Sequence, residues 1–216
     1  LLFDLPGNLE LQSYSAFVDG LLNRKPMVYL GANDGMLHAF RAEPESVSAN
    51  PASDGGREIF SYIPDAIIEK LPELTSPTFD SAAFVEGEIT VQDVFYDNSW
   101  HTILVGALRT GGQAIYALDI TDPEADAASI VRWEYTELNN ADMGYSFGKP
   151  IIAKANNGKW VVIVANGYNS LEADGNEGSG KAVLYVLADD DGELLAKVEV
   201  GNGSDSHPSR LSSPTA

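Results

Sequence analysis

The sequence has no cysteine, few basic residues and no long apolar run, and each shortage removes a class of protein. Without cysteine there are no disulfides and no thiolate metal sites, although that alone does not assign a compartment. Only 13 Lys and Arg stand against 32 Asp and Glu, a net charge of −19. A sequence-independent grip on nucleic acid needs a basic surface, so DNA and RNA are excluded as expected partners. The acidity fits a solvated surface, calcium binding, or a salty or extracellular setting. No apolar stretch approaches the roughly 20 residues that span a bilayer, and the opening LLFDLPGNLE lacks a signal-peptide pattern. The chain begins at Leu1, which leads us to expect a piece of a longer protein. Its three histidines, His38, His101 and His207, are scattered, with no Ser-His-Asp order and no His-Glu-x-x-His motif. GNGSDSHPS follows a predicted outer strand with no helix pattern after it, so it is not a phosphate cradle.

What is present is apolar residues in short alternating runs. With 44% hydrophobic residues in 216, the chain can bury one substantial core. MVYLGANDGMLHAF (27–40) reads as a β-hairpin, with β-formers on either side of Asn33, Asp34 and Gly35, residue types that tolerate the positive φ of tight turns. Alternation puts Leu37 and Ala39 on one face, and Met36, His38 and Phe40 on the other. His38 is then a packed or half-exposed strand residue, with no serine, cysteine or second histidine spaced to make it catalytic. Residues 13–22 predict a short helix with Tyr14, Phe17 and Leu21 on one face.

The strand signals recur. The 27–40 unit is followed by HTILVGALRTGGQAIYALDI (101–120), then by WVVIVANGY and GKAVLYVLAD (160–168 and 180–189). Each is an apolar strand ending at glycine, a glycine-bearing loop and a second apolar strand. The two later units also have a preceding strand (88–96 and 147–155) and a following one (130–136 and 194–201), and the first ends in GREIFSYIP (56–64). Sets of four successive antiparallel strands are the make-up of a propeller blade. The expected fold is therefore all-β: a modified β-propeller, partial or distorted, with a lead-in at 1–24 and blades at about 25–64, 80–136 and 145–201. LSSPTA (211–216) would begin a further inner strand. Three blades and a fragment do not close a ring by themselves, and a β-sandwich of similar strands is the competing architecture.

Unit spacing, read from Gly31 to Gly106 to Gly167, is about 60 to 75 residues, longer than the roughly 40 to 50 of compact propellers. Insertions supply the difference: a polar loop at 41–56, a stretch at 61–79 that begins a short helix at Pro64-Asp65, and a glycine-rich loop at 169–180. Long loops on one rim of a rigid scaffold are expected to carry recognition, here around Asp54, Asn169 and Glu177. Calcium needs six to eight oxygens, and no complete binding loop is present. Asp174, Asn176 and Glu177 are the calcium candidates, whereas Asp189, Asp190 and Asp191 read as a solvated hairpin turn, and 119–126 as ordinary turn chemistry. Trp100, Trp133 and Trp160 fall on or beside strands, where packing accounts for them.

VYLGANDGMLHAF followed by GREIFSYIP resembles a quinoprotein-type blade. The ordered series RKPMVYLGANDGMLHAFRA, GREIFSYIPDAII, ILVGALRTGGQAIYALDITDP, MGYSFGKPIIAKANNGKWVVIVANGYNS, AVLYVLADDDGELLAKVEVG and LSSPTA, spread over 24–216, is more similar to the C-terminal domain of the PilC/PilY family of type IV pilus biogenesis and tip-adhesin proteins. The resemblance implies a non-enzymatic propeller in a secreted protein of the outer membrane or pilus tip. It would promote pilus extension or oppose retraction with minor pilins and other pilus components as partners, and adhere to host or abiotic surfaces. It also implies a calcium-controlled Asp-rich loop, whose counterpart would lie beyond residue 216, so that no cofactor is required here. Two alternatives stay open: a fragment of a quinone-dependent dehydrogenase propeller, and an extracellular propeller that binds carbohydrate or protein.

Overall fold

The computed structural model describes residues 9–43, 54–79, 81–168, 178–204 and 206–214. A helix α1 (Leu9–Gly20) precedes eleven strands: β1 (Met27–Gly31), β2 (Leu37–Arg41), β3 (Glu58–Tyr62), β4 (Ile89–Tyr96), β5 (Ser99–Ala107), β6 (Ala114–Asp119), β7 (Val131–Thr136), β8 (Ile151–Lys154), β9 (Trp160–Ala165), β10 (Ala182–Ala188) and β11 (Leu194–Val200). They form three antiparallel sheets in sequence order: β1-β2-β3, β4-β5-β6-β7 and β8-β9-β10-β11. The recurrent apolar runs thus become three blades, the first of three strands and the others of four. The helix starts four residues earlier than its apolar spacing suggests. Tyr14 and Phe17 nonetheless share a face and pack on Trp100, with ring centroids 4.4 and 6.2 Å away.

Two cores lie between the sheets. On β5, Ile103, Val105 and Ala107 meet Val162, Val164, Val183 and Tyr185 of the third sheet. Leu104 and Leu108 point the other way, with Tyr116 and Leu118 of β6, toward Leu37, Tyr62, Ile67 and Phe84. The middle sheet is therefore buried on both faces, which is why TILVGA and AIYALDI are continuously apolar instead of alternating. In β2 strict alternation returns, because only the Leu37 and Ala39 face has a neighbour. Gly106 pairs across the ladder with Tyr116, whose ring lies over it; a Cβ there would sit 2.3 Å from that ring. Thr90 Oγ1 donates to Pro150 O at 2.5 Å, which brings the first strands of the second and third sheets together.

The connections follow turn chemistry. Gly35, at φ 96°, closes the β1–β2 turn, where Asp34 Oδ1 accepts from the Met36 N–H at 3.1 Å. Asp97 and Asn98, at φ 49° and 59°, make the two-residue β4–β5 turn. The stretch that begins at Pro64-Asp65 is a 3₁₀ helix (Asp65–Thr75) that contains Pro72. Its leading N–H groups are satisfied from another sheet, since Glu134 on β7 accepts from Asp65 N at 2.7 Å and Ala66 N at 3.4 Å. Leu211 makes one bridge, to Gly167, and the described residues after it, 212–214, are not in a strand.

Because strands alternate in direction, the loops sort onto two edges. An upper edge carries the β1–β2 turn, where Val85 N donates to Ala32 O at 3.2 Å, together with the β5–β6 and β9–β10 loops. A lower edge carries the β2–β3 loop, the β4–β5 turn and the β10–β11 turn, where Arg41 Nη2 donates to Glu124 at 2.6 Å and Arg132 Nη2 to Asp190 O at 3.0 Å. Two-sided burial sets the energetic expectation. Leu104→Ala should cost about 2 to 5 kcal/mol, whereas Leu30→Ala, at a side chain 56% exposed on the open face of the first sheet, should cost less than about 0.5 kcal/mol. Paired thermal melts read this at roughly 2 to 4 °C per kcal/mol; equal losses would contradict the two-sided core.

Candidate functional site

Of the loops expected around Asp54, Asn169 and Glu177, the described residues include Asp54 and the two flanks of the glycine-rich loop. Asp54 belongs to the lower edge, whereas Tyr168 and Ser179, which flank the glycine-rich loop, belong to the upper one, because one strand hairpin reverses the chain between successive loops. Asp54 is also committed internally. It accepts from Lys25 Nζ at 3.1 Å and Arg57 Nη2 at 2.9 Å, and pairs with Nε of the buried Arg41 at 3.5 Å. Lys25 foremost, with the Glu43 and Arg57 contacts, holds its carboxyl well below the usual range. Asn169 and the calcium candidates Asp174, Asn176 and Glu177 lie outside the described residues. Among the described residues, no group of three or more His, Asp or Glu is placed to hold a metal ion.

The base of the glycine-rich loop is clamped on both sides. Tyr168 stacks on Phe147, centroids 4.9 Å apart, and its carbonyl accepts from Tyr145 N at 2.8 Å. On the other side Asp142, itself buried, accepts from Ser179 N at 2.5 Å and Ser179 Oγ at 2.7 Å, and pairs with Lys197 Nζ at 2.5 Å. Burial raises the Asp142 carboxyl, but the Lys197 and Ser179 bonds outweigh it and the net shift is downward. Asn166 ties the two sides together: Nδ2 donates to the carbonyls of Asp142 and Lys181 at 2.9 Å each, and Oδ1 accepts from Val183 N at 2.9 Å. The Asn-Gly pair read as a strand end is a buried polar joint.

The histidines and tryptophans are bound into the framework. His38 is held by Glu58 at 2.6 Å and Asp34 at 2.9 Å, which raise its pKa, the Glu58 bond most. Both ring nitrogens are thereby occupied, as expected for a strand residue rather than a base. His207 contacts the hydroxyl of adjacent Ser206 at 3.1 Å. Trp100 and Trp160 meet edge-on at 6.1 Å, and Trp100 Nε1 donates to Glu10 O at 3.0 Å.

One feature of the lower edge runs against expectation. The Asp189 to Asp191 turn is solvated only in part: Asp191 is exposed and caps Glu193 N at 2.9 Å, but Asp189 is 1% exposed and neither of its carboxylate oxygens has a partner among the described residues. The indole of buried Trp133 is the cause. Its N–H takes the Asp189 carbonyl at 2.8 Å, drawing the turn over the seam between the second and third sheets, and Gly192 at φ 74° lies against its ring. Strand alternation directs Asp189 with Leu187, His101 with Ile103, and Tyr96 with Val94 into that seam. His101 Nδ1 is 2.8 Å from Asp119, Tyr96 stacks on the imidazole at 4.0 Å, and both His101 Nε2 and the Tyr96 hydroxyl are buried without a partner among the described residues. A cleft of about 230 Å³ opens onto the seam, lined by Phe95, Tyr96, Gly158, Lys159, Trp160, Asp189 and Asp190.

Burial first, then the Asp190 charge, pushes the Asp189 carboxyl up to about 7. A folded-state value above the unfolded one means that the folded chain holds a proton the unfolded chain has released. The contribution to stability is full below about pH 4 and is lost as pH rises through about 7. Asp189→Asn should therefore gain on the parent chain as pH rises from about 5 to about 8, by about 2 to 3 kcal/mol. Melts of both chains across that range check it; a constant difference would show that the carboxyl does not titrate there.

Comparison with known proteins accords with this architecture. The family described as the PilY1 beta-propeller domain matches residues 7–216. The type IV pilus biogenesis factor PilY1 of Pseudomonas aeruginosa PAO1 is 40% identical over 205 residues, covering 94% of this chain and 16% of that protein. A PilY1 homolog of Xylella fastidiosa is 37% identical over 199 residues, 91% of this chain and 12% of its own. The crystal structure of the Pseudomonas aeruginosa PilY1 C-terminal domain superposes with a TM-score of 0.71 at 38% identity, over 94% of this chain and 35% of that one. The chain thus spans about a sixth or less of the full-length relatives it matches. Sheet order, blade recurrence and sequence identity converge, and this chain belongs to the PilY1 β-propeller family.

Proposed function

We propose that this chain is a non-enzymatic, cell-surface part of the type IV pilus apparatus that promotes pilus extension or opposes retraction. Its loops contact minor pilins or other pilus components and contribute to surface attachment. The observation that carries this reading is the match over residues 7–216 to a family whose relatives are named type IV pilus biogenesis factors. The upper edge suits the contact: the Asp142, Asn166 and Ser179 bonds hold the loop base whatever sequence lies between. A rigid stack presenting such a loop binds without reorganising its core. Calcium would be an accessory, since Asp174, Asn176 and Glu177 by themselves would give fewer than the six to eight oxygens it needs.

The test exchanges residues 169–177 for a Gly-Ser linker of equal length in the full-length protein, expressed in a strain lacking it. Surface pili should fall severalfold, and return when retraction is also disabled, while the melting temperature moves by less than about 4 °C. Undiminished piliation would remove this loop from the contact. Loss of pili in both backgrounds would assign the chain to assembly itself rather than to opposing retraction.

A further inference from the structure

The lower-edge cleft has the makings of a binding site that the pilus reading does not use. Behind its lining lies a polar set: His101 Nε2, on a ring whose Nδ1 is 2.8 Å from Asp119, the Tyr96 hydroxyl and the two oxygens of Asp189 are all buried with no partner among the described residues. Its walls are the rings of Phe95, Tyr96 and Trp160, and Asp190 stands at the side. Carboxylate and aromatic faces around one small space suit a cation on an alkyl stem, because the ring faces and the carboxylate attract the same charge. A metal ion is poorly served, since among the described residues no three His, Asp or Glu converge. The volume, about 230 Å³, is below that of a drug-sized site and matches a single side chain.

We propose that this cleft receives a lysine side chain of a partner protein, its ammonium group bonded to Asp189 and its stem lying between Tyr96 and Trp160. The net charge of −19 favours a partner with basic residues on its surface and speeds the encounter. Arg132 already illustrates the affinity of this corner for cations: its guanidinium lies 5.2 Å from the Tyr96 ring centre and donates to Asp190 O. Lys159 is exposed at the mouth and opposes the incoming charge. The Asp189 oxygens lie behind the wall, so the amine enters as side chains at the mouth turn aside. This inference does not rest on the pilus reading and stands or falls separately.

The test follows the indole N–H signals of Trp133 and Trp160 by NMR in the 216-residue chain at about pH 8. The probes are n-butylammonium chloride, the peptide acetyl-Gly-Lys-Gly-amide, the same peptide acetylated on its lysine, and calcium chloride. Butylammonium and the lysine peptide should both shift the indoles saturably, the peptide at least as tightly, and the acetylated peptide should not. Asp189→Asn, which keeps the shape and removes a buried charge, should weaken binding at least about tenfold, and Lys159→Gln should tighten it about twofold. Binding of butylammonium without the peptide would make the site one for free amines and overturn the partner assignment. Equal shifts with the acetylated peptide, unchanged affinity in a folded Asp189→Asn chain, a response to calcium alone, or no response to either amine would each overturn the proposal.

Discussion

The structure depends on the burial of the β4–β7 sheet on both of its faces. Hydrogen bonds hold strands within each sheet, but neighbouring sheets are joined mainly by side chains meeting across two apolar seams. Ile103 and Leu104, adjacent in sequence, belong to different cores, so the same strand glues the first sheet to one side and the third to the other. A fully buried leucine or isoleucine side chain contributes about 1.5 to 3 kcal/mol, and this sheet supplies a disproportionate share of such positions. The first and third sheets each present one face to it and one to solvent, and Leu30 and Val198 stand half exposed on those outer faces.

Polar bonds then decide where the stack is stiff at its edges. On the upper edge Asp142 and Asn166 join the two sides of a long loop to the ladder beneath it. On the lower edge buried Arg41 gathers Asp54 and Glu124, binding the first sheet to the second with an ion cluster that replaces an apolar contact. The seam near Asp189 is the exception. It places a carboxylate, an imidazole nitrogen and a phenol out of water with nothing among the described residues to meet them, an arrangement that costs stability unless a ligand, water or proton satisfies it.

Much of this is legible in the sequence because local chemistry and fold agree. Gly35 and the Asn33-Asp34 pair announce the first turn, and the change from alternation in LHAFR to continuity in TILVGA reports one covered face against two. What sequence reading misses is set at a distance. Whether Asp54 and Tyr168 share an edge depends on counting strand reversals between them. Asp189 sits in a run of three aspartates before glycine, which reads as a solvated turn; its burial is imposed by Trp133, 56 residues away in the chain, whose indole claims its carbonyl. The Glu134 carboxylate likewise serves the start of the 3₁₀ helix from 69 residues away. No periodicity signals such bonds, because each satisfies a group that becomes orphaned only when the sheets stack.

The most direct test is amide hydrogen exchange on the intact chain. If the doubly buried sheet holds the stack together, the amides of β5 and β6 should exchange slowest of all, through global unfolding alone, while those of β1 and β11 exchange through smaller local openings. Protection in β1 or β11 equal to that in β5 and β6 would contradict this account.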